Sequence, residues 1–345
     1  MSDLKKRVLS GMRPTGKLHL GNYMGALYNW VRLQREYECY FFIADWHALT
    51  TDYADTSQVR ENTREVILDF LGAGLDPEQC TMFVQSAVKE HAELFLLFTM
   101  ITPLGWLERV PTYKEQQENI TGRDLSTYGF LGYPLLQAAD ILIYQADFVP
   151  VGQDQVAHVE LTREIARRFN QFYPKQSREL RAPSTDAEAV LPEPQVLLTP
   201  SPKLPGTDGR KMSKSYGNTI LLTDPEPVIR QKLKPMVTDP ARIRRTDPGN
   251  PEVCPVFDLH KVFSSVETQE RAREGCTTAS IGCIECKSWV ADAIVAELVP
   301  IQERRAKYEK EPKLVTDILE GGRRRASARA EQTMHEVRAA VGLND

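Results

Sequence analysis

Three groups of residues in this 345-residue chain have the types and spacing to do chemistry. Near the amino terminus, the segment Ser10-Gly-Met-Arg-Pro-Thr-Gly-Lys-Leu-His-Leu-Gly-Asn22 leads into an apolar stretch of helical period. A helix N-terminus presents free N–H groups and partial positive charge, a ready site for phosphate. Gly21 would let a nucleotide approach the backbone closely. No Gly-x-Gly-x-x-Gly or Walker lysine loop occurs, which argues against the common dinucleotide and P-loop arrangements. The second group, Gly209-Arg-Lys-Met-Ser-Lys-Ser215, ends a proline-rich stretch and offers Lys211 and Lys214, point charges suited to a moving phosphate. The third is Cys254, Cys276, Cys283 and Cys286, separated by 21, 6 and 2 residues. Four clustered thiols in a reducing compartment read as a metal site, either a tetrahedral Zn²⁺ or an iron–sulfur cubane, and spacing alone does not choose. The remaining two, Cys39 and Cys80, lie in apolar runs and are expected in the core.

The elements that must position these residues alternate in the first half. Arg7–Met12 reads as a strand and 21–37 as a helix. Cys39–Ala44 reads as a buried strand, 55–73 as a capped helix ended by Gly72 and Gly74, and Thr81–Gln85 as a third strand. That β-α-β-α-β order predicts an α/β fold, a Rossmann-like parallel sheet with ligands at the carboxyl ends of its strands. Between 174 and 210 seven prolines and little periodicity predict a long loop, with the insertion proper at 174–208. After Asp224 the pattern is helical, as at 288–308 and 332–341. Two domains follow: residues 1–223, a nucleotide-binding domain, and residues 224–345, an all-helical domain carrying the cysteine cluster.

Composition limits the partners. With 41% hydrophobic and 26% charged residues the chain can bury a sizeable core. Its net charge of −4 announces no general affinity for nucleic acid, so any such surface must be local. Two stretches qualify, 230–245 with six basic residues and one acid, and 304–329 with nine and four. The apolar run 94–107 is too short to span a bilayer and is broken by Pro103. No signal peptide is visible and cysteine is sparse, so a cytoplasmic protein without a membrane partner is expected.

Together, His19-Leu-Gly-Asn22 and Lys211-Met-Ser-Lys-Ser215 resemble the signature pair of class I aminoacyl-tRNA synthetases. The stretches Gly105-Trp-Leu-Glu-Arg-Val110, Tyr133-Pro-Leu-Leu-Gln-Ala-Ala-Asp-Ile-Leu142 and Val149-Pro-Val-Gly-Gln-Asp-Gln-Val-Ala-His-Val-Glu-Leu161 are similar to those of the bacterial-type tryptophanyl-tRNA synthetases. The resemblance runs from about Val8 to Phe172, resumes near Arg210 and continues more loosely to the carboxyl end. It implies activation of tryptophan by ATP and transfer to tRNA(Trp), with Mg²⁺ accompanying the nucleotide. It assigns His19, Asn22, Lys211, Lys214 and Lys114 to the phosphates. Arg13, Thr15, Gly21, Gly152, Asp154, Gln155, Met212, Ser213 and Ser215 complete the ATP site. For tryptophan it implies Asp140, whose carboxylate can accept the indole N–H, lined by Tyr133, Gln137, His47 and Gln155. The four cysteines resemble those holding a 4Fe-4S cluster in a subset of the family, and a homodimer is implied. Gln137 stands where these enzymes commonly carry methionine, and Arg13 where many carry glutamine. Tyr133-x-x-x-Gln137-x-x-Asp140 is also the spacing by which tyrosyl-tRNA synthetases hold tyrosine. A tyrosine enzyme and a non-charging tRNA-binding paralogue are therefore the alternatives.

Overall fold

The computed structural model describes residues 5–110, 125–174, 189–198 and 203–343. In chain order the elements used below are β1 (Arg7–Met12), α1, β2 (Glu38–Ile43), α2 (Asp45–Asp52), α3 (Val59–Ala73), β3 (Cys80–Val84), α4 (Glu90–Ile101), α5 (Leu104–Glu108), α6 (Tyr128–Ile143), β4 (Phe148–Val151), α7 (Val156–Phe172), β5 (Gln195–Leu198), α8 (Glu226–Leu233), α9 (Pro255–Phe263), α10 (Val266–Thr277), α11 (Cys283–Glu309) and α12 (Pro312–Val341). Helix α1 runs through Leu20–Asn22, a π-helical stretch Tyr23–Leu27 and Tyr28–Leu33.

The strands form one parallel sheet in the order β3-β2-β1-β4-β5. Successive side chains of a strand face opposite ways, and the core divides accordingly. Val8, Phe41, Ile43 and Met82 enter one apolar cluster, while Leu9, Tyr40, Phe42 and Phe83 enter the other. The expected strand positions in the first half hold within one residue. The helix expected from Asp55 starts at Val59, because the Asp55 carboxylate accepts from Ser57 N in a turn; it ends at Gly74, φ 108°.

One expectation is corrected. The stretch 174–210 is not loop throughout: Gln195–Leu198 forms β5, parallel to β4. Pro192 and Pro194 stand outside the strand, and a sheet edge tolerates such neighbours.

The helices after Asp224 share a continuous core with the sheet. Ile229, Leu233, Val256, Val290, Ile294, Leu298 and Ile301 join the cluster that holds Val8 and Phe41. Helix α12 begins in that cluster with Val315 and ends in the other with Ala326, Ala330, Met334 and Val337. It therefore crosses from one face of the sheet to the other, passing edge strand β3 at Gly322. A Cβ there would lie 1.7 Å from the Met82 carbonyl oxygen, so only glycine lets helix and strand backbones approach this closely.

Candidate active site

In a doubly wound sheet the crevice opens where strand order reverses, here between β1 and β4. A cavity of about 370 Å³ lies there, against Ser10 and Gly11 of β1 and Val149 to Val151 of β4. Its lining brings together Arg13, His47, Tyr133, Gln137, Asp140, Gly152 and Gln155, seven of the residues expected at the site. Gly25 and Ala26 of the π-helical stretch close one side, and such stretches are frequent at functional sites.

Asp140, in α6, is 1% exposed. Its Oδ2 accepts from His47 Nε2 at 2.8 Å, and its Oδ1 accepts from Gln85 Nε2 at 2.7 Å and His91 Nδ1 at 2.6 Å. Burial opposes its ionisation, yet the charges and hydrogen bonds of His47 and His91 outweigh burial and hold the carboxyl below the usual range. A carboxylate offers roughly four lone-pair directions, so the position left over is on Oδ2, the oxygen nearer the cavity residue His47. Beyond His91, its Nε2 meets the Tyr144 hydroxyl at 2.8 Å. Because Asp140 only accepts, His91 donates to it through Nδ1. Gln85, His91 and Tyr144 escaped sequence reasoning.

Tyr133 and Gln137 occupy the same helix as Asp140, two turns and one turn earlier respectively, and Tyr133 Oη lies 3.3 Å from His158 Nε2. Arg13 donates to Thr51 Oγ1 and lies 3.9 Å from Asp52.

The two signature motifs meet each other outside the cavity lining. His19 caps α1 reciprocally: its Nδ1 accepts from Asn22 N at 3.3 Å, and Asn22 Oδ1 accepts from His19 N at 3.1 Å. With Nδ1 accepting, a neutral ring carries its proton on Nε2, which is left to donate outward. Burial, with the charges of Lys214 and Lys211 beside it, lowers His19 to about 4, so the ring is neutral near pH 7. Gly21 has a nearer reason to be glycine than room for a nucleotide: a Cβ would sit 2.9 Å from the His19 ring. The second motif forms a turn in which Ser213 N donates to Asn218 Oδ1 at 2.8 Å and Ser213 Oγ lies 2.9 Å from Ser215 Oγ. Lys214 Nζ reaches back to the Thr15 and Gly16 carbonyls, both at 2.9 Å, and burial lowers it to about 8. Lys211 is exposed, whereas the Met212 side chain packs in the core. Gly152 precedes the single turn Gln153–Gln155 that contains Asp154. Lys114 lies outside the described residues.

The structure does not show the expected cysteine site as a preformed group of metal ligands. Cys254 starts α9, Cys276 ends α10, and Cys283 and Cys286 open α11, so three helix ends bring them into one neighbourhood. Among the described residues, however, no group of three or more His, Cys, Asp or Glu side chains is placed to hold a metal ion. Burial, then the neighbouring thiols, push Cys286 up to about 12, and its Sγ lies 3.3 Å from His260 Nε2. Burial also raises Cys276, whose Sγ is 3.8 Å from Arg242 Nη1. No helix among the described residues is long and apolar enough to cross a membrane.

The model of the class I tRNA synthetases for tryptophan and tyrosine matches residues 2–299. Tryptophan–tRNA ligases from Ralstonia nicotianae and Thermotoga maritima are 50% and 55% identical over 98% of this chain, covering 98% and 99% of the relatives. This chain belongs to the tryptophanyl-tRNA synthetase family. The family's tryptophanyl-tRNA synthetase from Campylobacter jejuni, solved with ADP and tryptophan, superposes with a TM-score of 0.85 at 31% identity. That alignment covers 98% of this chain and 100% of that one. A tyrosyl-tRNA synthetase from Archaeoglobus fulgidus shares the fold, at 23% identity and a TM-score of 0.64.

Proposed function

We propose that the cavity holds tryptophan with its indole N–H on Asp140 Oδ2 and its carboxylate toward the nucleotide motifs. The chain is a tryptophan–tRNA ligase: the tryptophan carboxylate attacks the α-phosphorus of ATP and pyrophosphate leaves, then the aminoacyl group passes from AMP to tRNA(Trp) and AMP is released. The protein supplies no nucleophile; it positions two anions and stabilises charge on the phosphate oxygens. His19 Nε2 and Asn22 donate to the phosphates, with Thr15, Gly152, Asp154, Gln155, Ser213 and Ser215 around the nucleotide. Lys211 and Lys214 follow the departing pyrophosphate. Mg²⁺ enters with ATP, held mostly by phosphates and water. Lys114 is proposed as a further phosphate contact on resemblance alone.

The observation that carries this reading is an ionised, almost wholly buried carboxylate with one acceptor position left, at the floor of the crevice between β1 and β4. ATP–pyrophosphate exchange with tryptophan and with tyrosine, side by side, tests it. Exchange with tryptophan alone is expected; exchange with tyrosine overturns the assignment of the amino acid, and exchange with neither overturns the reaction.

We also propose the helical region as the tRNA-binding part and a homodimer as the working unit. In 230–245 Lys234, Arg244 and Arg245 are exposed and suit phosphate contact. The exposed apolar side chains Leu96, Met100 and Leu104 on α4 and α5, with Tyr128 at the start of α6, suit a subunit contact. For the cysteines we retain the iron–sulfur reading over zinc. A cubane spreads four thiolates over four irons, so it does not need the close grouping a single ion requires. The buried cations Arg242 and Lys287 beside the thiols suit an anionic cluster. When bound, such a cluster would tie the three helix ends together. Iron and sulfide analysis with a visible spectrum of anaerobically purified protein tests this; colourless protein containing zinc overturns it.

A further inference from the structure

The two nucleotide motifs are 192 residues apart in sequence, from His19 to Lys211, yet their flanking residues are hydrogen-bonded to each other. Leu20 N donates to Ile220 O and Leu222 N to Leu18 O, both at 2.9 Å, making an antiparallel bridge at His19 and Leu221. A ribbon this short is not stable alone. The facing groups it leaves unpaired between its strands, Leu18 N and Leu222 O, are taken up by residues that one face of α11 controls. Gln302 Nε2 donates to Leu222 O and to Asp224 O, each at 2.9 Å. On the opposite strand of the ribbon, Leu18 N donates to Asp69 Oδ2 at 2.7 Å. Asp69, fully buried in α3, is held through Oδ1 by Arg305 Nη1. Arg305 also donates to Glu65 Oε2 at 2.6 Å and to Glu309 Oε1 at 2.9 Å, and is itself buried. Gln302 and Arg305 are three residues apart and so share a helix face. Two turns back, Glu297 accepts from the Tyr23 hydroxyl at 2.6 Å, on the helix that His19 caps.

We propose that Gln302 and Arg305 are positioning residues for the ATP-dependent step. Together they fix the offset between the His19 and Lys214 motifs, although neither lines the cavity. This deepens the reaction proposed above and rests on it. A helix of the carboxyl-terminal half thus holds the nucleotide motifs in register: Gln302 grips one strand of the ribbon directly, and Arg305 grips the other through Asp69. Without that grip, His19 Nε2 and the two lysines lose their fixed separation. Misplacement of about 1 Å in such a constellation costs on the order of 10²-fold in rate.

The test uses the full-length protein and the variants Gln302→Leu, Arg305→Lys and Asp69→Asn. Three readouts are compared: kcat and KM for ATP in pyrophosphate exchange, the calorimetric Kd of ATP, and the Kd of tryptophan without ATP. Gln302→Leu keeps shape and removes the donor. It is expected to lower kcat/KM for ATP about tenfold or more, and to leave the tryptophan Kd within about twofold. Arg305→Lys, which keeps charge but loses the fork, and Asp69→Asn, which keeps an acceptor for Leu18, should fall in the same direction. A folded Gln302→Leu protein with unchanged ATP parameters overturns the proposal. Equal loss of tryptophan and ATP binding also overturns it, because that is general loosening. If the unmodified chain shows no exchange, the reaction assignment fails, and the ATP Kd of the variants still decides the positioning role.

Discussion

At the amino-acid end of the crevice Asp140 is sealed under three hydrogen-bond donors. At the nucleotide end Lys211 is exposed and Lys214 rests on two backbone carbonyls. On the proposed reading both ends handle a polar ligand, but by opposite means. Telling indole from phenol or an aliphatic chain needs a buried polar pair that cannot relax, since size alone separates ligands by only about 1–3 kcal/mol. Pyrophosphate must leave, so its partners are charges on a turn that can follow it. The amino-acid end spends hydrogen bonds on rigidity, and the nucleotide end keeps its donors uncommitted or on replaceable carbonyls.

Breaking the rigid end should have the largest effect. Asp140→Ala is expected to lower tryptophan-dependent exchange at least about 10³-fold, because a site built on a buried polar pair rejects what leaves it unpaired. ATP affinity, measured by calorimetry, should stay within a few-fold; a matching loss of ATP binding would merge the two ends into one. Next comes the mobile end. Lys214→Ala should reduce kcat by about 10²-fold, the scale of losing one stabiliser of transition-state charge, with the tryptophan Kd unchanged. His91→Leu sharpens the comparison from outside the cavity. Removing its donor leaves the Asp140 charge less satisfied, at a cost of about 1–3 kcal/mol in stability by urea unfolding. Its carboxyl pKa should rise, so tryptophan affinity in this variant weakens as pH falls, whereas the parent holds its affinity to lower pH.

Two smaller effects follow from pH. Lys214 at about 8 loses its charge as pH rises past that value, so the KM for ATP should climb by up to about tenfold per pH unit in alkali. A flat profile to pH 9.5 would remove Lys214 from phosphate binding. His19 is lowered to about 4 in the fold, below its unfolded value. Between those two values the unfolded chain binds more protons. The contribution of His19 is therefore complete above the unfolded pKa and is lost as pH falls toward 4. Comparing urea midpoints of the parent and His19→Gln at pH 5 and 7 checks the sign.

Much of this contrast was legible from residue order. Both nucleotide motifs, Asp140 and the first three strands could be read because each lies in a contiguous pattern. What stayed hidden depends on contacts that no local pattern carries. His91 sits 49 residues from Asp140 and stands in the sequence as a lone histidine before an apolar run. Strand β5 is four residues long, bordered by proline and without alternation in its burial, so nothing periodic marks it. The basic stretch 304–329 looks like an RNA-facing surface, yet four of its nine cations hold other parts of this chain. Arg304 donates to Gly72 O and Arg305 pairs with Asp69 and Glu65. Arg325 reaches the Pro77 and Cys80 carbonyls, and Arg329 reaches Gln145. Charge counts cannot separate a cation meant for a partner from one that braces its own chain.

The crossing of α12 over β3 has a consequence for how the molecule is made. Strand β3 is finished by residue 84, but the helix that covers this sheet edge starts only at Pro312. For most of synthesis that edge presents unpaired peptide groups to its surroundings. A chain stopped before Gly322 would carry both nucleotide motifs and the Asp140 pocket and still expose an open strand, prone to join another. Helix α12 thus closes over an edge laid down more than 200 residues earlier in the chain, so covering the strand waits on contacts of the longest sequence separation.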